Sequence, residues 1–442
     1  MNFIGPIVSL IVKGESGAAA AVQTTFARVL FIVLNILTGM ITARALGPGG
    51  RGEQAAILLW PQFLAYILTL GVPMALIYQV KKHPQQQSQI VSTALLLSAL
   101  TGCFATIVGC FGMPIWLSKY PSDVIRSAQW FMLFAPVASM SLVCVSAMEA
   151  AEKFGAANRG RYLAPIITLI GLSGLVLTHL LTPTTAALTY SVAGLLTLFW
   201  LLRDLLLTFP LKFEGVGQNT KRLLSYGMRS YGIDLFGSVS GQVDRVLVVG
   251  MLAPALMGIY TIALSLSRML SILHSSTISV LFPKTSAKPV AEVVAIVGKS
   301  ARVSTFLTGM TALLVGLFGG EILILLYGDR FVGAVPIFRI LLLQVVLSGL
   351  TWVLAQTFMS VGKPEIPMLL QGIGLLINVV MMVVLIPQFS LVGASISLLV
   401  STMFRLGVVL ACYPLVLKVS PPSLWLNRSD LAHFTRLKQR FL

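Results

Sequence analysis

Charged side chains interrupt an otherwise apolar stretch from Ser225 to Ala263: Arg229, Asp234, Asp244 and Arg245. At about 100° per residue, Asp234, Ser238, Gly241 and Arg245 fall on one side of a single helix, with Gly227 and Tyr231 close by. Charges inside an apolar span are costly and usually face a bundle interior or a water-filled cavity. This stripe offers lipid no bulky apolar side chain, so it reads as the wall of a polar cavity. Other apolar segments carry their own charges. Arg28 shares a face with Thr24 and Asn35, and Arg268 lies on a stripe with Thr261, Ser265, Ser275 and Ser279. Arg405 sits near Ser401, and Arg339 lies toward the outer end of its segment. Arg28, Arg245, Arg268 and Arg405 stand against Asp234 and Asp244, so the set is net positive. Arginine forks match phosphate oxygens bidentately and stay charged at physiological pH. The expected ligand is therefore anionic, held by Arg28, Asn35, Asp234, Arg245, Arg268 and Arg405. For each charge an ion pair or snorkelling to the head groups is an equally physical reading, with Asp244 as a local partner for Arg245. The Ser and Thr stripes also fit helix packing. Trp60, Tyr66, Tyr231, Tyr260 and Trp352 offer rings that could stack on sugars, or serve as core and interface anchors.

Catalytic patterns are missing from the sequence. The four histidines, His83, His179, His274 and His433, are scattered over different segments, and no GxSxG, Walker or HExxH pattern occurs. Cys103, Cys110, Cys144 and Cys412 lie inside hydrophobic segments without CxxC spacing, which indicates packing and neither a metal site nor a disulfide framework. No enzyme, metal or cofactor is expected, and no ATPase domain supplies energy.

The elements that must position these charges are membrane helices. The chain is 57% hydrophobic and 10% charged, with mean hydropathy +0.92. A soluble domain carries about 25% charged residues. A spanning helix needs about 20 residues. Twelve segments qualify: 17–44, 54–80, 88–117, 124–148, 160–181, 185–206, 223–252, 256–282, 301–327, 332–360, 364–386 and 391–417. Phe3 to Val12 is broken by Pro6 and lacks a preceding basic region, so no cleavable signal peptide is expected. A net charge of +17 raises nucleic-acid binding, but the loops explain much of it. With the N-terminus inside, 20 loop and tail Lys and Arg fall on the inner side and five on the outer. This places both termini in the cytoplasm. The expected organisation is an N-terminal lobe over 1–208, a cytoplasmic linker over 209–222, a C-terminal lobe over 223–417 and a basic amphipathic tail over 418–442. Leu424, Leu431, Phe434, Leu437 and Phe441 give that tail an apolar face for an anionic inner leaflet.

An internal echo supports two halves. Leu46-Gly47-Pro48 followed by Gly52 recurs as Leu252-Ala253-Pro254 followed by Gly258, at an offset of 206 residues. Asp234 then corresponds to Arg28, and Gly241 to Asn35.

Three patterns carry a family resemblance. Arg44-Ala-Leu-Gly-Pro-Gly-Gly-Arg-Gly resembles the A-R-x-L-G-P-x-x-x-G signature of the polysaccharide transporter family, the O-antigen (Wzx-type) flippases of the multidrug/oligosaccharidyl-lipid/polysaccharide exporter superfamily. Gln242-Val-Asp-Arg-Val-Leu-Val-Val-Gly-Met-Leu, followed by Met257-Gly-Ile-Tyr-Thr-Ile-Ala, resembles that family's seventh-helix pattern. Val392-Gly-Ala-Ser-Ile-Ser-Leu-Leu-Val-Ser resembles its twelfth-helix start. The likeness extends to about residue 417. It implies an all-α polytopic membrane fold, with twelve transmembrane helices in two pseudo-twofold-related six-helix lobes around a central cleft. It also implies alternating access and a substrate: an undecaprenyl-diphosphate-linked oligosaccharide moved across the bacterial inner membrane for O-antigen, capsule or exopolysaccharide synthesis. Arg28 and Arg268 match the family's cationic cleft. Asp234 departs from it, since its first-half counterpart is Arg28, and this leaves an ion pair or an ion-coupling role open. The implied partners are the lipid-linked substrate and the membrane, with polymerases and glycosyltransferases of the same pathway. The alternative on the same fold is a cation-coupled multidrug exporter, which usually presents a carboxylate where this chain has a first-helix arginine.

Overall fold

The structure is a computed structural model describing residues 17–286 and 288–425, without the side chains of 17–28, 229–234, 236–238 and 282–283. Fifteen α-helices account for nearly all of it, and no strand occurs among the described residues. They are α1 (Gly17–Leu68), α2 (Val72–Lys82), α3 (Gln87–Trp116), α4 (Ser122–Phe131), α5 (Ala135–Ala150), α6 (Phe154–Leu177), α7 (Pro183–Thr208) and α8 (Val216–Ser240). They continue as α9 (Val243–Met251), α10 (Pro254–Arg268), α11 (Ser271–Thr285), α12 (Val290–Leu317), α13 (Gly319–Tyr327), α14 (Val335–Ser360) and α15 (Glu365–Cys412). The basic tail expected over 418–442 lies largely outside the described residues.

Seven helices are long and apolar enough to cross a membrane, and nine are if the bent pairs α10–α11 (42°) and α12–α13 (70°) each count as one. Two of the seven are too long for a single crossing. The apolar part of α1, Val29–Leu68, has 40 residues, about 60 Å of helix against a hydrocarbon core of about 30 Å. It is broken at Gly47 (φ 67°), immediately before Pro48. The helix α15 is likewise broken at Ser390 (φ 53°). Dividing both brings the number to eleven, and the segment expected at 223–252 is the pair α8 and α9. The described helices thus accommodate all twelve segments.

The chain forms two compact units. The first runs to Gln242 and includes Leu252–Gly258; the second comprises Val243–Met251 and the chain from Ile259 on. The core of the first lies among α2, α3, α5 and α7. Leu76, Ile90, Val143 and Leu205 are almost wholly buried, and Ala75, Ala94 and Ala147 let the backbones approach. Leu223 brings α8 onto the same core. The core of the second is built from Val297 on α12, Val353 and Phe358 on α14, and Val409 on α15. Tyr413 closes it. Its hydroxyl donates to the Leu354 carbonyl at 3.0 Å and lies 2.7 Å from the Thr357 hydroxyl. Small residues and paired hydroxyls are what helix association in lipid requires, because lipid competes equally for apolar surface.

The repeated signature meets itself within the first unit. A Cβ on Gly52 would lie 1.7 Å from the Pro254 carbonyl oxygen, and a Cβ on Gly258 would lie 2.0 Å from that of Pro48. Pro48 and Pro254, Gly52 and Gly258, are the positions related by the offset of 206. Each copy's proline carbonyl therefore rests on the other copy's glycine, a self-complementary contact of the kind a twofold relation generates.

Ser225 to Ala263 is not one helix. It breaks at Gly241–Gln242 and again at Leu252–Ala253, giving the end of α8, then α9, then the start of α10. Gly237, Ser238, Ser240 and Gly241 cluster weak helix formers at the first break, and Pro254 enforces the second. The single-helix register linking Asp234 and Ser238 to Arg245 therefore does not hold.

Candidate functional site

The second unit holds a buried charge cluster made possible by that second break. Asp244 lies in the first turn of α9 and Arg268 in the last turn of α10. The helix dipole favours a carboxylate at the one place and a cation at the other. Tyr260 and Arg268 lie eight residues apart on one face of α10. The Asp244 Oδ2 accepts from the Tyr260 hydroxyl at 3.0 Å and from Arg268 Nη2 at 3.2 Å. Asp244 and Tyr260 are completely buried, whereas the Arg268 side chain remains 37% exposed. The carboxylate thus fixes one end of a guanidinium that solvent still reaches. Asp244 Oδ1 has no hydrogen-bond partner among the described residues. Arg245, next on α9, is half-buried.

Arg405 on α15 has a different environment. Nη1 donates to Gln371 Oε1 at 2.9 Å and Nη2 to the Thr402 hydroxyl at 3.1 Å. Gln344 on α14 donates to the same hydroxyl at 3.0 Å. A Cβ on Gly374 would lie 2.3 Å from Arg405 Cδ, so glycine gives the side chain its path. Trp352, Thr351 and Gln371 share a small cavity with it. Its hydrogen-bond partners Gln371 and Thr402 are neutral, and none of the ion pairs among the described residues includes it. A guanidinium held by neutral groups keeps its charge available for an anion.

The other charges divide between described and undescribed. Arg28 lies on α1 and Asp234 on α8, and both side chains are outside the described residues. Asn35 is exposed and donates Nδ2 to the Phe31 carbonyl of its own helix at 2.7 Å. Arg339 donates Nε to the Gly316 carbonyl at 3.0 Å, covering an acceptor that the end of α12 leaves open. Gln371 and Thr402 are neutral and carry no spacing signal in the sequence, and Tyr260 reads there as a stacking ring or an anchor rather than as a hydrogen-bond donor to Asp244. Among the described residues, no group of three His, Cys, Asp or Glu could hold a metal ion.

Comparison with known proteins places this architecture. Over 90% of this chain and 88% of the other, it superposes on the lipid II flippase MurJ in an inward closed conformation, with a TM-score of 0.76 and 11% sequence identity. A multidrug resistance MATE family transporter of the MOP superfamily, in an inward-facing conformation, matches with a TM-score of 0.67 and 13% identity, covering 86% and 92% of the two chains. A MOP superfamily transporter from Pyrococcus furiosus, described as having a binding pocket of reverse polarity, matches with a TM-score of 0.62 and 14% identity over 91% and 96%. At these identities the likeness shows the fold. No curated protein sequence matches the chain significantly. The family of polysaccharide biosynthesis proteins matches over residues 21–287. That is more than half of the 442 residues, and the chain is a multi-pass membrane protein belonging to the polysaccharide biosynthesis protein family.

Proposed function

We propose that the protein is a flippase that moves an undecaprenyl-diphosphate-linked oligosaccharide from the inner to the outer leaflet of the bacterial inner membrane by alternating access, with both termini in the cytoplasm. One observation carries this reading. Arg268 lies in a membrane-helix pair, is anchored through a fully buried carboxylate, and still exposes 37% of its side chain. A cation so placed is costly unless it serves a polar path. Its fork suits phosphate oxygens, and its fixed position lowers the entropy lost on binding. In this proposal Arg268 and Arg245 hold the diphosphate, and Arg28, Asn35, Asp234 and Arg405 are further substrate-binding residues. The glycan travels in water and the polyprenyl tail in lipid. The family's link to polysaccharide biosynthesis and the fold shared with a lipid II flippase support the reading.

Asp244 favours a second reading. A fully buried carboxylate with one unpartnered oxygen is the group a cation- or proton-coupled multidrug exporter would need. Its other oxygen is already engaged by Arg268 and Tyr260, which weighs against a cationic drug there.

The test is complementation of a deletion strain with wild type and Arg268→Ala, with membrane levels of each measured and lipid-linked intermediates extracted. Compared with wild type at matched membrane levels, Arg268→Ala is expected to accumulate undecaprenyl-diphosphate oligosaccharide and to lose surface glycan. Normal surface glycan would refute the cationic site. Unchanged intermediates together with altered resistance to cationic dyes would favour the exporter.

A further inference from the structure

The first unit carries a cationic cavity at the adjoining ends of α2 and α8. Tyr78, Gln79 and Lys82 from the last turns of α2, and Lys221, Arg222 and Tyr226 from the first turns of α8, line an open cavity of about 850 Å³. This lies within the range of small-molecule sites, about 300–1,000 Å³. Loop charge places this end of the helices at the cytoplasmic surface.

Three features make it a built site. First, its parts are held in place. The Tyr78 and Tyr226 rings stack at 4.2 Å and 8°, fixing α2 against α8. The Lys82 ammonium lies 5.4 Å from the centre of the Tyr78 ring, and Arg222 Nη1 donates to Gln86 Oε1 at 2.7 Å. Second, the cations line the cavity without counter-ions. No carboxylate lines the cavity, and none of the three has an ion pair among the described residues. The nearby carboxylates are engaged elsewhere: Glu152 pairs with Lys81 at 3.1 Å, and Glu214 accepts from Gln89 at 2.9 Å. Third, the lining mixes one arginine fork and two ammonium groups with neutral amide and hydroxyl donors, a combination suited to phosphate oxygens. Orienting the chain requires only an excess of Lys and Arg in the loops. It does not require them to share a cavity floored by a tyrosine stack.

We propose that this cavity is a diphosphate-binding site, which receives the phosphorylated head group of the lipid-linked substrate at the cytoplasmic surface before it reaches the intramembrane arginines. The assignment of a lipid ligand rests on the flippase reading, whereas the diphosphate chemistry does not. Three solvent-accessible charges, each contributing modestly, set the expected effect at about tenfold in affinity.

The experiment is calorimetric titration of the purified full-length protein in detergent with inorganic diphosphate and, separately, with a fifteen-carbon isoprenyl diphosphate. Wild type is compared with the triple variant Lys82→Gln/Lys221→Gln/Arg222→Gln. Both are also measured in the Arg268→Gln background, which removes the intramembrane arginine that the proposed function places at the diphosphate. Size-exclusion profiles confirm that every variant is folded. About tenfold weaker binding in the triple variant, in both backgrounds, is the expected result. Tighter binding of the isoprenyl compound identifies the lipid head group as the ligand, and equal binding of the two identifies free diphosphate; either supports the site. Equal affinity of wild type and triple variant, or no binding by either, would overturn it. Normal glycan export and no accumulation of lipid-linked intermediates in the deletion strain, with this binding intact, would count against the flippase reading alone.

Discussion

The residue scale turns on Asp244. Its burial is complete, and its stability depends on Arg268 and Tyr260. Removing one partner of a buried ion pair strands the other and costs about 3–5 kcal/mol, whereas removing both charges together is often nearly neutral. The exposed side of Arg268 places the expected loss toward the lower end. Arg268→Gln should therefore destabilise purified protein by about 3 kcal/mol, read as the midpoint of thermal unfolding. The double variant Asp244→Asn/Arg268→Gln should recover most of that loss. Neither should restore export, because both lack the guanidinium. Recovery of export by the double variant would show that the pair is structural only. This pairing was only half legible. Type and depth marked Asp244 and Arg268 as unusual, but adjacency in the sequence suggested Asp244 as a local partner for Arg245. The contact actually made crosses the Leu252–Ala253 break, and periodicity cannot carry across a break. Lys82, Lys221 and Arg222 were legible only as topology signals. Nothing in their spacing, 139 residues from Lys82 to Lys221, says that α2 and α8 bring them to one cavity.

At the scale of elements, the repeated signature was visible as letters before its purpose was. Leu-x-Pro followed by glycine at a fixed offset indicates two related halves. That each proline carbonyl seats on the other copy's glycine is a fact of packing. It makes a sharp contrast between glycines. Replacing an exposed helical glycine by alanine normally stabilises by about 1 kcal/mol. Gly194 on α7 has nothing within 4 Å of an added Cβ, so Gly194→Ala should be neutral or slightly stabilising. Gly52→Ala and Gly258→Ala drive a methyl into backbone carbonyls that cannot swing aside. Each should lower the thermal midpoint and the yield of monodisperse protein by similar amounts, as the reciprocal contact demands. If Gly52→Ala behaves like Gly194→Ala, the crossing is looser than described. The same lesson applies to α1 and α15. Hydropathy found two segments in each, and Gly47 and Ser390, the non-helical points inside them, mark where one crossing ends and the next begins.

For the whole molecule, the charge asymmetry of the loops and the number of crossings must agree, because each crossing reverses the side on which the next loop lies. One segment too many or too few would exchange the sides of every later loop and scatter the Lys and Arg evenly. Twelve crossings, with the excess inside, is the arrangement that keeps 20 of these charges together. The weakest members of the set are α8–α9, too charged to pass as a plain apolar span, and the α15 segments, joined through Ser390. Three cysteines placed in a cysteine-free background test them. Thr184→Cys, in the first turn of α7, and Phe389→Cys, at the α15 break, should react with a membrane-impermeant maleimide in intact cells. Gly215→Cys, just before α8, should react only after permeabilisation. Phe389 is decisive because it lies beyond α8–α9, α10–α11 and α12–α13. If any of these fails to cross as one unit, its accessibility inverts while that of Thr184 does not. Protection of Phe389 in intact cells would thus reject the twelve-crossing arrangement and move the cytoplasmic ends of the later helices, Lys363 among them, to the opposite face. Labelling at both outer positions would fix the α2–α8 cavity on the cytoplasmic side, where the proposed diphosphate-linked substrate would first be met.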